Sequence, residues 1–488
     1  MKKNEELFIH CSAQETRAAV MVDGILEDLH IERRAQRGLV GNVYKGKVMR
    51  VLPGMQSAFI EIGLERTGFL HINDIYTARK EDGSYTPIEY LLHEGESLLV
   101  QVSKDPIGTK GARLTTTISL AGHKLVYLPK EPHIGVSQRI EDEPERDRLK
   151  ALITSVRPET EKGGYIVRTC AEAATAEEFQ NDIVYLKRLW AQIETKASTS
   201  SAPALLYQDL YLAERSLRDM VNESTTRIVV DAWDDNIADL TEFAKTFIPT
   251  AVDKLQLYQG EVPLFEQFGV EEEIERALAR RVDLKSGGYL IFDQNEAMTT
   301  IDVNTGAYVG KRDFGDTVFK TNLEAARVIA RQLRLRNLGG IIIIDFIDME
   351  KEAHRQAVLA ELQKAVQSDR VHTTMSNFTE LGLVEMTRKR TRDSLGHILC
   401  EPCPLCGGRG EIKTARTVCY QILREVLREW RQYPDIMEFC IIASQTVIDL
   451  FLEDEAQALD LLQEFIHCPV RLQVECCYGP EQYDITFN

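Results

Sequence analysis

Three residues near the middle of the chain have the types and spacing that chemistry on a phosphate ester requires: Asp302, Asn304 and Asp345. Asp302 closes the alternating run MTTID, and Asn304, Thr305 and Gly306 follow it as turn residues. Asp345 closes GGIIIID. Two carboxylates at one edge repel, so one must protonate or a cation must neutralise them. Hard oxygen donors that leave coordination positions to water or phosphate suit Mg²⁺. Asn304 adds an uncharged oxygen and a donor beside Asp302. The chemistry this set could do is metal-assisted phosphodiester hydrolysis. Either aspartate alone could merely cap its strand; the pair on one edge is what points to a site.

The elements that must position the pair can be read from the same stretch. Between the two strands, Leu323, Ala326, Ala330 and Leu333 fall on one helical face. Thr321 with Glu324 three residues later has capping-box spacing, which places the helix start near Thr321. The four consecutive isoleucines predict a strand buried on both faces. Strand, helix, strand is a βαβ crossover, so the strands should be parallel, with both aspartates at their carboxyl ends, where open α/β sheets place ligands. Asp348 and Glu350 are expected to be solvated residues at the opening of the next helix.

The 488 residues are enough for two to four domains, and 44% apolar with 27% charged residues is the balance of a soluble globular protein. The N-terminus MKKNEELFIH lacks a signal-peptide run, and no stretch approaches membrane-spanning length, so a cytoplasmic, soluble protein is expected. Net charge is −18, so a polyanion would have to meet local basic clusters. Arg388, Lys389, Arg390 and Arg392 form one; Arg327, Arg331, Arg334 and Arg336 form another, and each by itself reads more readily as a solvated face.

Before the central stretch, residues 37–118 carry short strands punctuated by PG and glycine turns, the pattern of a small barrel. Phe59 and Phe69, interleaved with Lys45, Lys47 and Lys110, could stack bases and meet phosphates; the same pattern fits two phenylalanines in a barrel core slightly better. Lys196–Pro203 (KASTSSAP) reads as a flexible loop. After the central stretch, Cys403 and Cys406 form a CPxC knuckle followed by glycines, and Cys400, three residues earlier, is a possible ligand on the same spacing. Tetrahedral Zn²⁺ needs four ligands, and no second pair follows, so two chains would each supply two. The remaining cysteines form no disulfide framework. Residues 414–488 predict a helix at CYQILREVLREW, a second at IDLFLEDEAQALDLLQEF and a strand at VRLQVECC.

The barrel segment GNVYKGKVMRVLPGMQSAFIEIGLERTGFLHINDI resembles an S1 RNA-binding domain, an OB-type barrel. The succession TTTISLAG, GVSQRIED, GGYIVRT, IDVNTG and IIIIDFIDM, with LGLVEMTRKRTR beyond it, resembles the ribonuclease E/G family over essentially the whole chain. That resemblance implies a multidomain α/β and α+β architecture. The S1 barrel (37–118) is inserted in an RNase H-like subdomain (1–36 and 215–277). A 5′-sensor region (119–214), a DNase I-like catalytic subdomain (278–399), a zinc-link (400–413) and a small α/β C-terminal domain (414–488) follow. It implies that Asp302 and Asp345 hold Mg²⁺, that Asn304 orients the scissile phosphate, and that Phe59, Phe69 and Lys110 bind RNA. Val126, Arg168 and Thr169 match the family's sensor for a 5′-monophosphate; physically, Arg168 offers a planar fork and Thr169 a hydroxyl. Cys403 and Cys406 would share one Zn²⁺ between protomers, giving a homodimer or homotetramer.

The implied activity is single-strand-specific endoribonuclease cleavage giving 5′-phosphate and 3′-hydroxyl ends. The implied substrates are a ribosomal RNA precursor, in 5′-end maturation of small-subunit RNA, and messenger RNA in turnover. The chain stops soon after the last predicted strand, so no large scaffold tail, membrane anchor or stable RNA-decay assembly is expected. The alternative is a non-catalytic S1-type RNA-binding or ribosome-assembly factor. A degenerate site would have lost Asp302, Asp345 or Asn304, and all three are present.

Overall fold

The computed structural model describes residues 4–488 apart from 80–83, 107–109, 141, 159–161, 173, 223, 233–235, 307–313, 368, 370, 391 and 434. The chain divides into two compact units, residues 1–395 and 396–488. The architecture is mixed α/β and multidomain, with a closed β-barrel early in the first unit.

The first three strands, Glu5–Cys11, Glu15–Val22 and Ile25–Arg33, form an antiparallel meander. Glu5–Cys11 also pairs in parallel with Thr225–Ala232, and that strand with Leu255–Leu257. Residues from the two ends of a long insertion therefore share one sheet and one core, in which Leu7, Ile9 and Val20 meet Leu217, Ile228 and Leu240. Within the insertion, Val43–Leu52, Ser57–Glu61, Gly68–His71, Ser97–Lys104 and Arg113–Thr115 close into a barrel, because Val43–Leu52 pairs with both Ser57–Glu61 and Ser97–Lys104. Its interior holds Tyr44, Val48, Ile60, Leu70, Val100 and Leu114. A small sheet built on Leu125–Leu128 and Gly164–Val167 follows, covered by the helices Glu143–Val156 and Ala176–Thr199. Lys196–Thr199, expected to lie in a loop, form the last turn of the second helix. Their small polar side chains do not prevent it, because Thr199 and Ser198 hydroxyls return hydrogen bonds to Thr195 of the same helix.

The sheet that carries the aspartates runs in the order Arg281–Asp283, Tyr289–Gln294, Met298–Asn304, Gly340–Asp345, Leu383–Arg388, Thr373–Phe378. Met298–Asn304 and Gly340–Asp345 are parallel neighbours joined by the helix Phe314–Leu335. The helix starts before Thr321, which is buried inside it, and Glu324 is no cap. Its carboxylate accepts the backbone N–H groups of Lys285 and Ser286 at 2.7 and 2.9 Å, closing a turn in the same sheet. Ala326, Ala330 and Leu333 are buried as expected, with Leu323 packed at their edge. The isoleucine run is not buried on both faces. Ile342 and Ile344 are fully buried, but Ile341 is 47% exposed. This helix packs against Glu352–Gln367, and both contribute to the one core that holds Ile342 and Ile344.

In the second unit, Phe439–Ala443 lies between Val470–Val474 and Tyr483–Phe487. The helix Ala415–Gln432 is where its periodicity placed it, but the second predicted helix is two, Gln445–Leu452 and Ala456–Ile466. The break falls at Glu455, which is buried and held by Arg416 and the Tyr420 hydroxyl.

Candidate active site

Asp302 and Asp345 are register partners at the carboxyl ends of the two parallel strands. Adjacent strands lie about 4.8 Å apart, so two exposed side chains directly opposite each other can close on one ion. Both are exposed, on the sheet face away from the helices. Asn304, one pleat further along the same face, donates its amide to Asp302 Oδ2 at 2.7 Å. Gly306 turns the chain away at φ 63°, where a Cβ would collide with the Gly287 carbonyl. Burial, then the charges of Asp302 and Asp348, pushes the Asp345 carboxyl above its usual range. Asp348 is exposed, as expected, yet close enough to act on Asp345. With Phe346, Glu350, Arg355 and Phe378 it lines a cleft of about 270 Å³ beside the strand end. Two carboxylates crowded at one edge are a donor set that fits a hard divalent cation. Among the described residues no group of three or more His, Cys, Asp or Glu forms a ready-made metal cage, so water or substrate would complete the coordination.

Both arginine clusters have structural work. Arg327 pairs with Glu361 at 2.5 Å; Arg331 pairs with Glu273 and donates to Leu26 O; Arg334 pairs with Glu27. Arg336 is buried with its guanidinium 4.3 Å from the Phe292 ring centroid. Arg388 is buried against Asp369 and Arg392 reaches Asp28. Arg331, Arg334 and Arg392 join the aspartate-bearing sheet to the N-terminal sheet, whereas Arg327, Lys389 and Arg390 are exposed, as a solvated face would be.

On the barrel, Phe59 and Phe69 are cross-strand partners with ring centroids 6.1 Å apart, and His71 lies 6.5 Å from Phe69. Neither ring belongs to the barrel core, which corrects the slightly favoured core assignment: both side chains point out of the closed sheet. Lys47 and Lys110 are exposed, but Lys45 donates to the Ala197 and Ser200 carbonyls and so caps a helix end.

Arg168 ends the strand Gly164–Val167, and Thr169 opens the turn after it. The guanidinium is not a free fork. It donates to the carbonyls of Gly122 and His123 at 2.6 and 3.2 Å and to Asp219 at 2.6 Å. The Thr169 hydroxyl lies 3.1 Å from that of Ser137, in an exposed position. Val126 is half-buried on the adjacent strand, opposite Ile166. The carboxylates Asp182 and Asp219 went unread in sequence. Asp182 did leave a signal: it sits between Phe179 and Leu186 on the buried stripe of its helix, where a carboxylate needs a reason.

In the second unit, Gly407, Gly408 and Gly410 all have positive φ, and Gly410 N–H donates to Cys406 Sγ at 3.4 Å. That bond, then one from Gly408, lowers the Cys406 thiol below its usual value; Cys403 adds to this as a hydrogen-bond partner. Cys400 and Cys403 are exposed.

Comparison with known proteins gives the family to which this arrangement belongs. The family model of the Ribonuclease E/G family matches residues 119–391. The chain is 50% identical to ribonuclease G of Escherichia coli (strain K12) over 488 residues, covering 99% of each chain. It is 47% identical to ribonuclease G of Haemophilus influenzae over 489 residues, again 99% of each. It is 36% identical to ribonuclease E of Escherichia coli over 481 residues, which cover 96% of this chain and 44% of that protein. The chain belongs to the ribonuclease E/G family.

Proposed function

We propose that the protein cuts single-stranded RNA by cation-assisted hydrolysis at the Asp302–Asp345 edge, leaving 5′-phosphate and 3′-hydroxyl ends. Family membership makes the chain an endoribonuclease. The observation that carries the mechanism is the register pairing of Asp302 with Asp345 on an exposed edge. A divalent cation such as Mg²⁺, when bound, supplies Lewis acidity toward the phosphoryl oxygen and the attacking water. Asp302 and Asp345 hold it. Asn304, tied to Asp302, orients the scissile phosphate through its remaining amide capacity. Phe59 and Phe69 stack unpaired bases, which favours single strands, and Lys110 meets the backbone. Arg168, Thr169 and Val126 receive a 5′-monophosphate and its nucleoside. The barrel acts as an S1 module, the sheet spanning both ends of the insertion as an RNase H-like support, and the aspartate sheet as a DNase I-like catalytic subdomain.

Cys403 and Cys406 supply half of a tetrahedral Zn²⁺ site, the other half coming from a second protomer in a homodimer or homotetramer. The glycine amides at Cys406 favour its thiolate, the form that binds metal. Substrates are a small-subunit ribosomal RNA precursor and messenger RNA in the cytoplasm. No helix among the described residues is long and apolar enough to cross a membrane.

The test is cleavage of a short AU-rich single-stranded RNA with Mg²⁺, comparing 5′-monophosphate with 5′-hydroxyl ends and wild type with Asp302→Asn. Mg²⁺-dependent cutting, faster on the monophosphate and lost in the variant, supports the reading. Binding without cutting by the wild type overturns it. For the zinc half-site, Cys403→Ser with Cys406→Ser should release zinc and lower the oligomeric state in sedimentation; an unchanged, metal-free oligomer overturns that part.

A further inference from the structure

The groups around Arg168 form a connected set that the 5′-end reading does not yet use. Arg218 grips Asp219 with two parallel bonds, Nε to Oδ1 and the second guanidinium nitrogen to Oδ2, both 2.9 Å. Arg168 shares the same Oδ1 at 2.6 Å. Arg218 is 8% exposed, Asp219 26% and Arg168 23%, so the pairs are shielded from water on most sides. The remaining anchors of Arg168 are the Gly122 and His123 carbonyls, and their loop is fixed from beneath. Buried Asp182 accepts the backbone N–H groups of His123, Lys124 and Leu125 at 3.2, 2.7 and 2.7 Å. A Cβ on Gly122 would lie 2.7 Å from Asp182 Oδ2, so the loop can approach that closely only with glycine there. His123 Nδ1 lies 2.9 Å from the Arg218 carbonyl, which ties the loop to the end of the helix Leu212–Met220. Burial raises the Asp219 carboxyl, but the two arginines outweigh it and hold it at about 2.

An arginine reads a phosphate well only when its plane is set in advance, because a long side chain loses rotamer freedom on binding. Three acceptors in two directions set that plane here, and one of them is a charge clamped by a second arginine. We infer that Asp219 is the positioning residue of the 5′-phosphate sensor: clamped by Arg218, it holds Arg168 in the orientation that receives the terminal phosphate. The inference rests on the sensor reading above. It also explains why Arg168 is engaged without being lost to the site: Asp219 fixes one end of the guanidinium, as an orienting carboxylate fixes a histidine.

The experiment measures cleavage of the same RNA with 5′-monophosphate and 5′-hydroxyl ends by Arg168→Ala, Asp219→Asn, Asp219→Glu and the Arg168→Ala/Asp219→Asn double variant. The 5′-hydroxyl substrate reports the fold and the cutting edge in each. Asp219→Asn should lower the monophosphate preference about tenfold, the scale of one charge-assisted hydrogen bond, with 5′-hydroxyl cleavage unchanged. Asp219→Glu should restore part of the preference, and the double variant should lose no more than Arg168→Ala. Preference retained in Arg168→Ala overturns the sensor reading and the inference with it. Preference lost in Arg168→Ala but retained in Asp219→Asn overturns the inference alone. Equal loss on both substrates in Asp219→Asn also overturns it, assigning Asp219 to general stability.

Discussion

Asp302 and Asp345 stand exposed at their strand ends, with an Asn304 amide bonded to Asp302, whereas Arg168 is held by two carbonyls and a shielded carboxylate. Like charges are left together at one place and opposite charges are interlocked at the other. The first arrangement is costly until something positive arrives; the Asp345 carboxyl is raised first by burial and then by the neighbouring charges of Asp302 and Asp348. The second is already satisfied, and what it offers a ligand is orientation. On the proposed function, the difference separates a site that must gain charge to work from one that must keep its shape.

Asp345→Asn tests the first half of that contrast and has the largest expected effect. Cleavage should fall on the order of 10³-fold or more while RNA affinity, read by fluorescence anisotropy, stays near wild type. Parallel loss of binding would mean that the edge is structural. Phe69→Ala should come next, weakening single-strand binding by about 1–3 kcal/mol. Its melting temperature should move little, because the ring lies outside the barrel core; a large stability loss would return Phe69 to the core. The smallest effect sharpens the second half. Asp219→Asn should cost about 2 kcal/mol in urea unfolding at neutral pH. The folded carboxyl titrates below its unfolded value. Its contribution is therefore fully present above the ordinary carboxylate range and is lost as pH falls towards about 2. The gap between wild type and variant should accordingly close in that window. A gap independent of pH would show that the ion pair is not its source.

The same contrast explains what was legible in the sequence. The aspartate pair could be read because each residue lies at or near the end of a strand whose type is set by its own neighbours, and a single crossover rule makes the strands parallel; the strand runs two residues past Asp302, so Asn304 belongs to it and not to the turn. The Thr321–Glu324 spacing misleads because the partners of Glu324, Lys285 and Ser286, come from a turn earlier in the chain, and a three-residue spacing cannot reveal that. Arg331, Arg334 and Arg392 looked like free charge because Glu273, Glu27 and Asp28 lie far away in sequence. Ile341 is exposed because the pleat sends alternate residues of one run to opposite faces, and the helices share a core with only one of them. Phe59 and Phe69 could not be assigned to either side of the barrel until the register that pairs them was known.

One feature of the N-terminal sheet bears on how the molecule is made. Glu5 finds its parallel partner at Thr225, about 220 residues later. At roughly 5–20 residues per second, the ribosome needs on the order of 10–40 s to supply that partner. The barrel, by contrast, closes on strands between Val43 and Thr115 alone. A nascent chain can therefore complete its barrel while the first meander waits with one edge open. The first strand thus waits for a partner made about 220 residues after it.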